Sequence, residues 1–411
     1  MAFPRRARRL FGYWRAERRT LRQGLVALVL STGAAFVAGL TLSGLGDTLQ
    51  RLPGLLVLIP AAVGMRGTIF GAVGARLGTA THAGTFEVSL ARGGVLRENA
   101  EVSVITTFVS SLWLAALAKL VAAAFGDTSI SFWDMVTISV VGGVLSSALI
   151  LAVTIGLSVI SFRRGYDLDA VATPMVTAIG DMATLPALFL ATFLTRSDSL
   201  NAVVAGVCVF AVLVSVVKGV RDAAPTVRRI LLEMAGVIAL MPILDIFAGA
   251  LLEANKSALL RTPGVLILIP PFVSQAGALG GILSSRLSSK LQLGVIVARG
   301  RPATPAIVDG TLVITFGAAI FTLIGAVGLG LSALTGQAHP GAVTMIGGTV
   351  LAGVMVLPIT LFVGYYLAIL TARFGLDPDN HGVPIITSVM DLTGVACLLL
   401  AMSLSGVNLN G

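Results

Sequence analysis

The sequence is poor in charge. Only 11% of its 411 residues are Asp, Glu, Lys or Arg, where a soluble domain carries about 25%. The deficit runs along the whole chain, which excludes a sizeable soluble domain. Cysteine is nearly absent. Cys208 and Cys397 both fall inside apolar runs, so they read as small core residues and not as a disulfide framework. Three scattered histidines (His82, His339, His381) and no Cys/His cluster leave nothing to hold a soft metal. A cleavable leader is not expected, because no short apolar core with a small-residue cleavage site follows the basic first 23 residues. The net charge of +9 does not point to nucleic acid. The arginines sit in short loops between apolar runs, where membrane orientation accounts for them.

What the chain has is apolar length. It is 56% hydrophobic, with a mean hydropathy of +0.97. Runs of roughly 20 residues, enough to cross a hydrocarbon core of about 30 Å, recur throughout. They predict an all-α polytopic membrane protein with eleven spans: 24–46, 53–75, 100–124, 133–161, 169–195, 199–217, 230–252, 263–285, 309–335, 341–370 and 380–404. The segment 79–98 reads as a possible amphipathic stretch at the inner surface.

The chain is also duplicated. Residues 53–60 read PGLLVLIP and residues 263–270 read PGVLILIP; from 53–77 to 263–287 there are 11 identities in 25. The same 210-residue offset lays GYDLDAVATPMVTAIGD (165–181) over GLDPDNHGVPIITSVMD (375–391). Three parts are therefore expected: a first five-helix repeat (1–198), a linker helix with a basic loop (199–222), and a second repeat (223–411). Five crossings would invert the second copy; the unmatched sixth span restores its orientation. The repeats should thus be parallel, related by a pseudo-twofold axis along the membrane normal. With the N-terminus in the cytoplasm, 22 Lys and Arg fall on the inner side and 4 on the outer. This positive-inside bias predicts a cytoplasmic membrane location with the C-terminus outside.

A carboxylate inside a membrane is expensive and marks function by default. The duplication carries two at matching positions, Asp181 and Asp391. Each follows a threonine four residues earlier, Thr177 or Thr387, on the same helix face. Each also follows a proline, Pro174 or Pro384, which removes a backbone donor and is expected to free a carbonyl towards a cavity. Two facing carboxylates repel in low dielectric, and a cation between them removes the conflict. A hard divalent ion such as magnesium suits carboxylates, carbonyls and hydroxyls, and keeps several waters.

The second and eighth spans are glycine-rich after the proline motif. Gly67 matches Gly277, Gly71 matches Gly281 and Arg76 matches Arg286; small residues there allow close helix approach or an exposed backbone beside an ion path. Arg66 lies mid-span opposite Ala276, and either neutralises a nearby carboxylate or reaches into a water-filled cavity. Glu101 and Asp309 open the third and ninth spans in comparable places. With Asp167, Asp169, Asp377, Asp379 and Asn380 they form either a cytoplasmic ion vestibule or a set of solvated interfacial charges.

These segments resemble the MgtE-type divalent-cation transporters, especially the eukaryotic solute-carrier branch with two units in one chain. Gly64-Met65-Arg66-Gly67-Thr68, followed by Ala75-Arg76-Leu77, is similar to that branch's GLKGN…SRLST signature, and the proline-to-aspartate segments are similar to the family's last helix. The resemblance implies transport and no enzyme activity. It implies paired five-helix units around a central ion path, with Asp181 and Asp391 holding hydrated Mg2+. Thr177 and Thr387 would offer backbone ligands, and Gly67 and Gly277 would line the path. The transported ion would be the only bound cofactor, with Mn2+ and Co2+ as further candidates. A pseudo-dimer of this kind could act as a monomer. The family's Asn is Thr68 here and Ala278 in the second half, where Ser274-Gln275 replaces a Gly-Lys-like pair; this weakens the implication for magnesium more than that for divalent cations. The CBS domains of the gated bacterial channels have no counterpart in these residues, so a carrier, an exchanger or another form of gating is expected.

Two other classes were weighed. An intramembrane aspartyl protease would use Tyr166-Asp167, GLGD at 44–47 and Pro186-Ala187-Leu188, but the order is wrong and the repeat does not preserve them. An anion or organic-solute carrier has only Arg66 in its favour.

Overall fold

The structure, a computed structural model, describes residues 18–89, 91, 93–124, 130–164, 168–375 and 381–408, without the side chains of 18–23, 82, 164, 168–175, 177 and 222. Among the described residues it is helical throughout, with no strand. The first repeat comprises α1 (Arg18–Gly44), a short α2 (Gly46–Arg51), α3 (Leu55–His82), α4 (Val95–Ala124), α5 (Phe132–Arg164) and α6 (Leu168–Thr192). The linker helix is α7 (Asp198–Val217). The second repeat comprises α8 (Pro225–Ala254), a short α9 (Lys256–Arg261), α10 (Pro263–Gln292), α11 (Thr304–Leu334), α12 (Ala342–Phe374) and α13 (Val383–Leu404). Eleven of these are long and apolar enough to cross a membrane, and they answer one for one to the predicted spans. Helices close their own backbone hydrogen bonds, which lipid cannot do for them. Buried hydroxyls follow the same rule: Thr32, Thr154, Thr184 and Ser332 each donate to the carbonyl four residues back.

The short helices α2 and α9 were not expected. They too lie 210 residues apart, and each bends the chain between two spans. The segment 79–98 is not an amphipathic helix. It is the end of α3, a loop and the start of α4. Phe86, 3% exposed, anchors the loop against Val73, Leu77 and Leu96, with its ring 5.1 Å from that of Phe162.

The two repeats embrace. α10 packs on α1 of the other repeat, and α3 packs on α8. The closest points are two equivalent glycines. A Cβ on Gly39 would lie 2.3 Å from the Ile267 carbonyl oxygen, and one on Gly249 2.3 Å from that of Val57. Both members of each pair are offset by 210, so the sequence repeat is a spatial repeat. α3 and α10 are the most enclosed spans, 72% of each window being buried, against 22% for α7. The axis therefore runs past α3 and α10, while α7 leans on α4 and α5 at the edge. Its Val203, Val207 and Phe210 are exposed and suit lipid, while Cys208 faces inward as expected; both cysteines are buried and free.

Candidate functional site

Asp181 sits mid-way along α6 and Asp391 in the first half of α13. Asp181 is buried and Asp391 half-buried. Each turns towards the partner repeat. Ser274 of α10 donates a hydrogen bond of 2.9 Å to Asp181 Oδ2. At the equivalent place in α3, Gly64 leaves room for acid: a Cβ there would lie 3.2 Å from Asp391 Oδ2.

A third carboxylate joins them. Asp245 of α8 is 1% exposed. Its Oδ2 would lie 2.9 Å from a Cβ on Gly64, and its side chain is within hydrogen-bonding reach of Ser388 and Asp391. The other oxygen, Oδ1, has no hydrogen-bond partner. Sequence comparison of the halves passed over Asp245 because its counterpart is Ala35. An acid deep inside an apolar span is the signal in the sequence. Among the described residues, no group of three or more His, Cys, Asp or Glu side chains is drawn tightly enough to grip a bare ion. The carboxylates sit at the seam between the repeats, a placement compatible with an ion that keeps its water shell.

The other predicted residues divide. Gly277 lies against α13, where a Cβ would come 3.4 Å from the Thr387 methyl. Among the described residues nothing lies within 4 Å of a Cβ placed on Gly67, and Thr68 beside it is half-buried. Gln275 is fully buried and donates to Ser31 at 3.0 Å. Thr387 turns its hydroxyl back onto the carbonyls of Val383 and Pro384. The carbonyl expected to be freed by Pro384 does not follow from its position. This proline occupies the first turn of α13, where the missing donor has no intrahelical partner to lose. The side chains of Pro174, Thr177 and Asp169 lie outside the described residues, as do Asp167, Asp377, Asp379 and Asn380.

Asp309 is not a solvated vestibule acid. It is fully buried and takes Arg286 Nε at 3.0 Å and Lys290 Nζ at 2.5 Å. Its true counterpart is Asn99, which accepts from Arg76 Nε at 2.7 Å, not Glu101, which forms an exposed pair with Arg97. Both contacts tie the C-terminal part of an axial helix to its neighbour. Asp309→Ala leaves two cations without their acid and is expected to cost about 3–5 kcal/mol. Glu101→Ala should change stability by less than about 1 kcal/mol. Thermal unfolding of the purified variants in detergent compares them.

Arg66 does not neutralise a described carboxylate. It is 1% exposed and donates from Nη2 to Ser111 at 2.9 Å; Nε and Nη1 have no partner. Gly143 makes room for the guanidinium. In the second repeat the equivalent Gly353 accommodates Phe321, stacked on Phe272 at 4.6 Å. One interior is polar, the other aromatic. An isolated buried cation destabilises unless fully hydrogen-bonded. Arg66→Met is therefore expected to raise the unfolding temperature by a few degrees, read in the same assay; a fall would show that the guanidinium holds the first repeat together.

The comparisons with known proteins agree with this architecture. A family model described as "MgtE: Divalent cation transporter" matches residues 59–191 and again 269–401. The chain is 27% identical over 416 residues to solute carrier family 41 member 3 of Rattus norvegicus, covering 92% of this chain and 88% of that one. It is 27% identical to the Mus musculus protein of the same name over 369 residues, 85% of this chain and 75% of that one. It is 23% identical over 397 residues to solute carrier family 41 member 2 of Gallus gallus, 92% and 69% respectively. No solved structure matches. The protease reading is overturned by these matches; Asp47 of GLGD is exposed in α2, and Tyr166-Asp167 lies outside the described residues. Two matched copies of one transporter unit, covering most of the chain, make this protein a member of the MgtE family of divalent cation transporters.

Proposed function

We propose that the protein carries hydrated Mg2+ across the cell membrane by a path between its two repeats, with Asp181 and Asp391 as ion-binding carboxylates. The observation that supports this best is the crossed pair of contacts at the interface: Ser274 with Asp181, and Gly64 with Asp391. Charge from each repeat meets at a surface the other repeat completes. A hydrated divalent ion is held by one or two carboxylates and by hydrogen bonds from its waters to hydroxyls and carbonyls. Backbone carbonyls at Thr177 and Thr387 are ligand candidates one turn before the acids. Gly67, Thr68, Gly277 and Gln275 line the path, in the same helices that carry the family signature. Pro174, Pro384 and Arg66 belong to the helix turns beside it. Mn2+ and Co2+ are further candidate substrates. Both halves of the path are in one chain, so a monomer suffices.

The test is uptake into liposomes loaded with a magnesium-sensitive dye, with and without a sodium gradient. Wild-type protein is expected to admit magnesium, and the Asp181→Asn/Asp391→Asn double variant is not. Equal flux in both would sink the assignment of the path.

The same reading puts the N-terminus in the cytoplasm and the C-terminus outside. A C-terminal reporter active only in the cytoplasm should stay silent. An active one would overturn the orientation.

A further inference from the structure

The aspartates of the two repeats match, but the site they form is not symmetric. Asp245 stands beside Asp391, and both approach Gly64. Among the described residues no equivalent acid stands beside Asp181, because α1 carries Ala35 at that position. Asp245 is buried to 1% exposure in the middle of the protein. A carboxylate there is unfavourable unless it is fully paired, takes up a proton or meets a cation. It is not fully paired. Ser388 and Asp391 are the side chains within its reach, Oδ1 has no partner, and Asp391 is itself an acid. Packing does not require it, since the equivalent helix fills the place with a methyl group, Ala35, at 0% exposure. Arg66, the buried cation of the neighbouring helix, points to Ser111 instead.

Resting on the ion-site reading above, we propose that Asp245 is a third cation-binding carboxylate, which draws the ion off the pseudo-twofold axis towards Asp391. Gly64 takes part by absence: a Cβ there would stand 2.9 Å from Asp245 Oδ2 and 3.2 Å from Asp391 Oδ2 and would crowd both acids. Ser274 orients the Asp181 carboxylate through its hydrogen bond. The ion then meets two acids on the second-repeat side and one on the first. The loosely spaced oxygens act through the ion's water shell, so the third charge raises affinity without sorting ions by radius.

The experiment is equilibrium binding of Mg2+, Mn2+ and Co2+ to the purified full-length protein, by calorimetry, for Asp245→Ala, Asp245→Asn, Asp181→Asn and Asp391→Asn. Asp245→Ala is expected to weaken all three ions at least tenfold and by similar factors. Asp245→Asn keeps the shape and the hydrogen bonds but not the charge, and should do the same. Asp391→Asn should weaken binding more than Asp181→Asn, and in an Asp245→Ala background the two should become equal. Wild-type affinity in folded Asp245→Asn would overturn the proposal, as would equal losses at Asp181 and Asp391 with Asp245 intact. If Asp245→Ala fails to fold, Asp245→Asn decides. Full binding by Asp181→Asn and Asp391→Asn would instead remove the underlying ion site, whatever Asp245 does.

Discussion

Asp181→Asn and Asp391→Asn are each expected to cut divalent-cation flux by tenfold or more, with the fold intact. Asparagine keeps the side-chain shape, so packing in α6 and α13 is preserved. What is lost is one charge facing a divalent ion in a water-poor space. Interactions with charged partners contribute about 1.5–3 kcal/mol, and 1.4 kcal/mol is a factor of ten in affinity. Dye-loaded liposomes with matched amounts of monodisperse protein measure the flux. Normal flux in both single variants, at normal unfolding temperature, would mean that the ion does not pass these carboxylates.

A large effect on stability is also expected at Gly39 and Gly249. These residues bring α1 against α10 and α8 against α3, backbone to backbone. An added methyl at either would stand 2.3 Å from a carbonyl oxygen, and a helix backbone cannot turn aside as a side chain can. Overpacking typically costs about 1–3 kcal/mol and occasionally more; here the upper end or beyond is expected for Gly39→Ala or Gly249→Ala. The double variant should separate the repeats enough to lose monodisperse protein. Gly33→Ala and Gly236→Ala serve as controls in the same two helices, since nothing lies within 4 Å of either added Cβ. They should be neutral or gain up to about 1 kcal/mol from helix propensity. Equal stability of Gly39→Ala and Gly33→Ala in a thermal-unfolding series would refute the close approach.

The interface and the ion site depend on each other. Gly64 is in α3, which Gly249 holds against α8, the helix of Asp245. Ser274 is in α10, which Gly39 holds against α1. A change that wedges the repeats apart should therefore also spoil the cross-repeat contacts of Asp181 and Asp391. Stability variants at the glycines are expected to lose flux in proportion to the distance gained, whereas the aspartate variants lose flux alone.

The sequence by itself determined the solvent, the number of spans, the duplication and the paired aspartates. Each rests on a property read along the chain: apolar runs long enough for lipid, or identity at one constant offset. The offset even carried information that a loose reading passed over, since Asn99 and Asp309 match without any gap. Tertiary structure alone decided which groups meet. It sealed Asp309 between Arg286 and Lys290, turned Arg66 towards Ser111, put Pro384 in a helix's first turn, and brought Asp245 to Asp391. A comparison of repeats detects what the two copies share, and Asp245 and Arg66 are where they differ. The neighbours of a lone charge in a membrane are contributed by helices distant in sequence, so only the packing of those helices tells whether it is paired, buried alone or facing an ion.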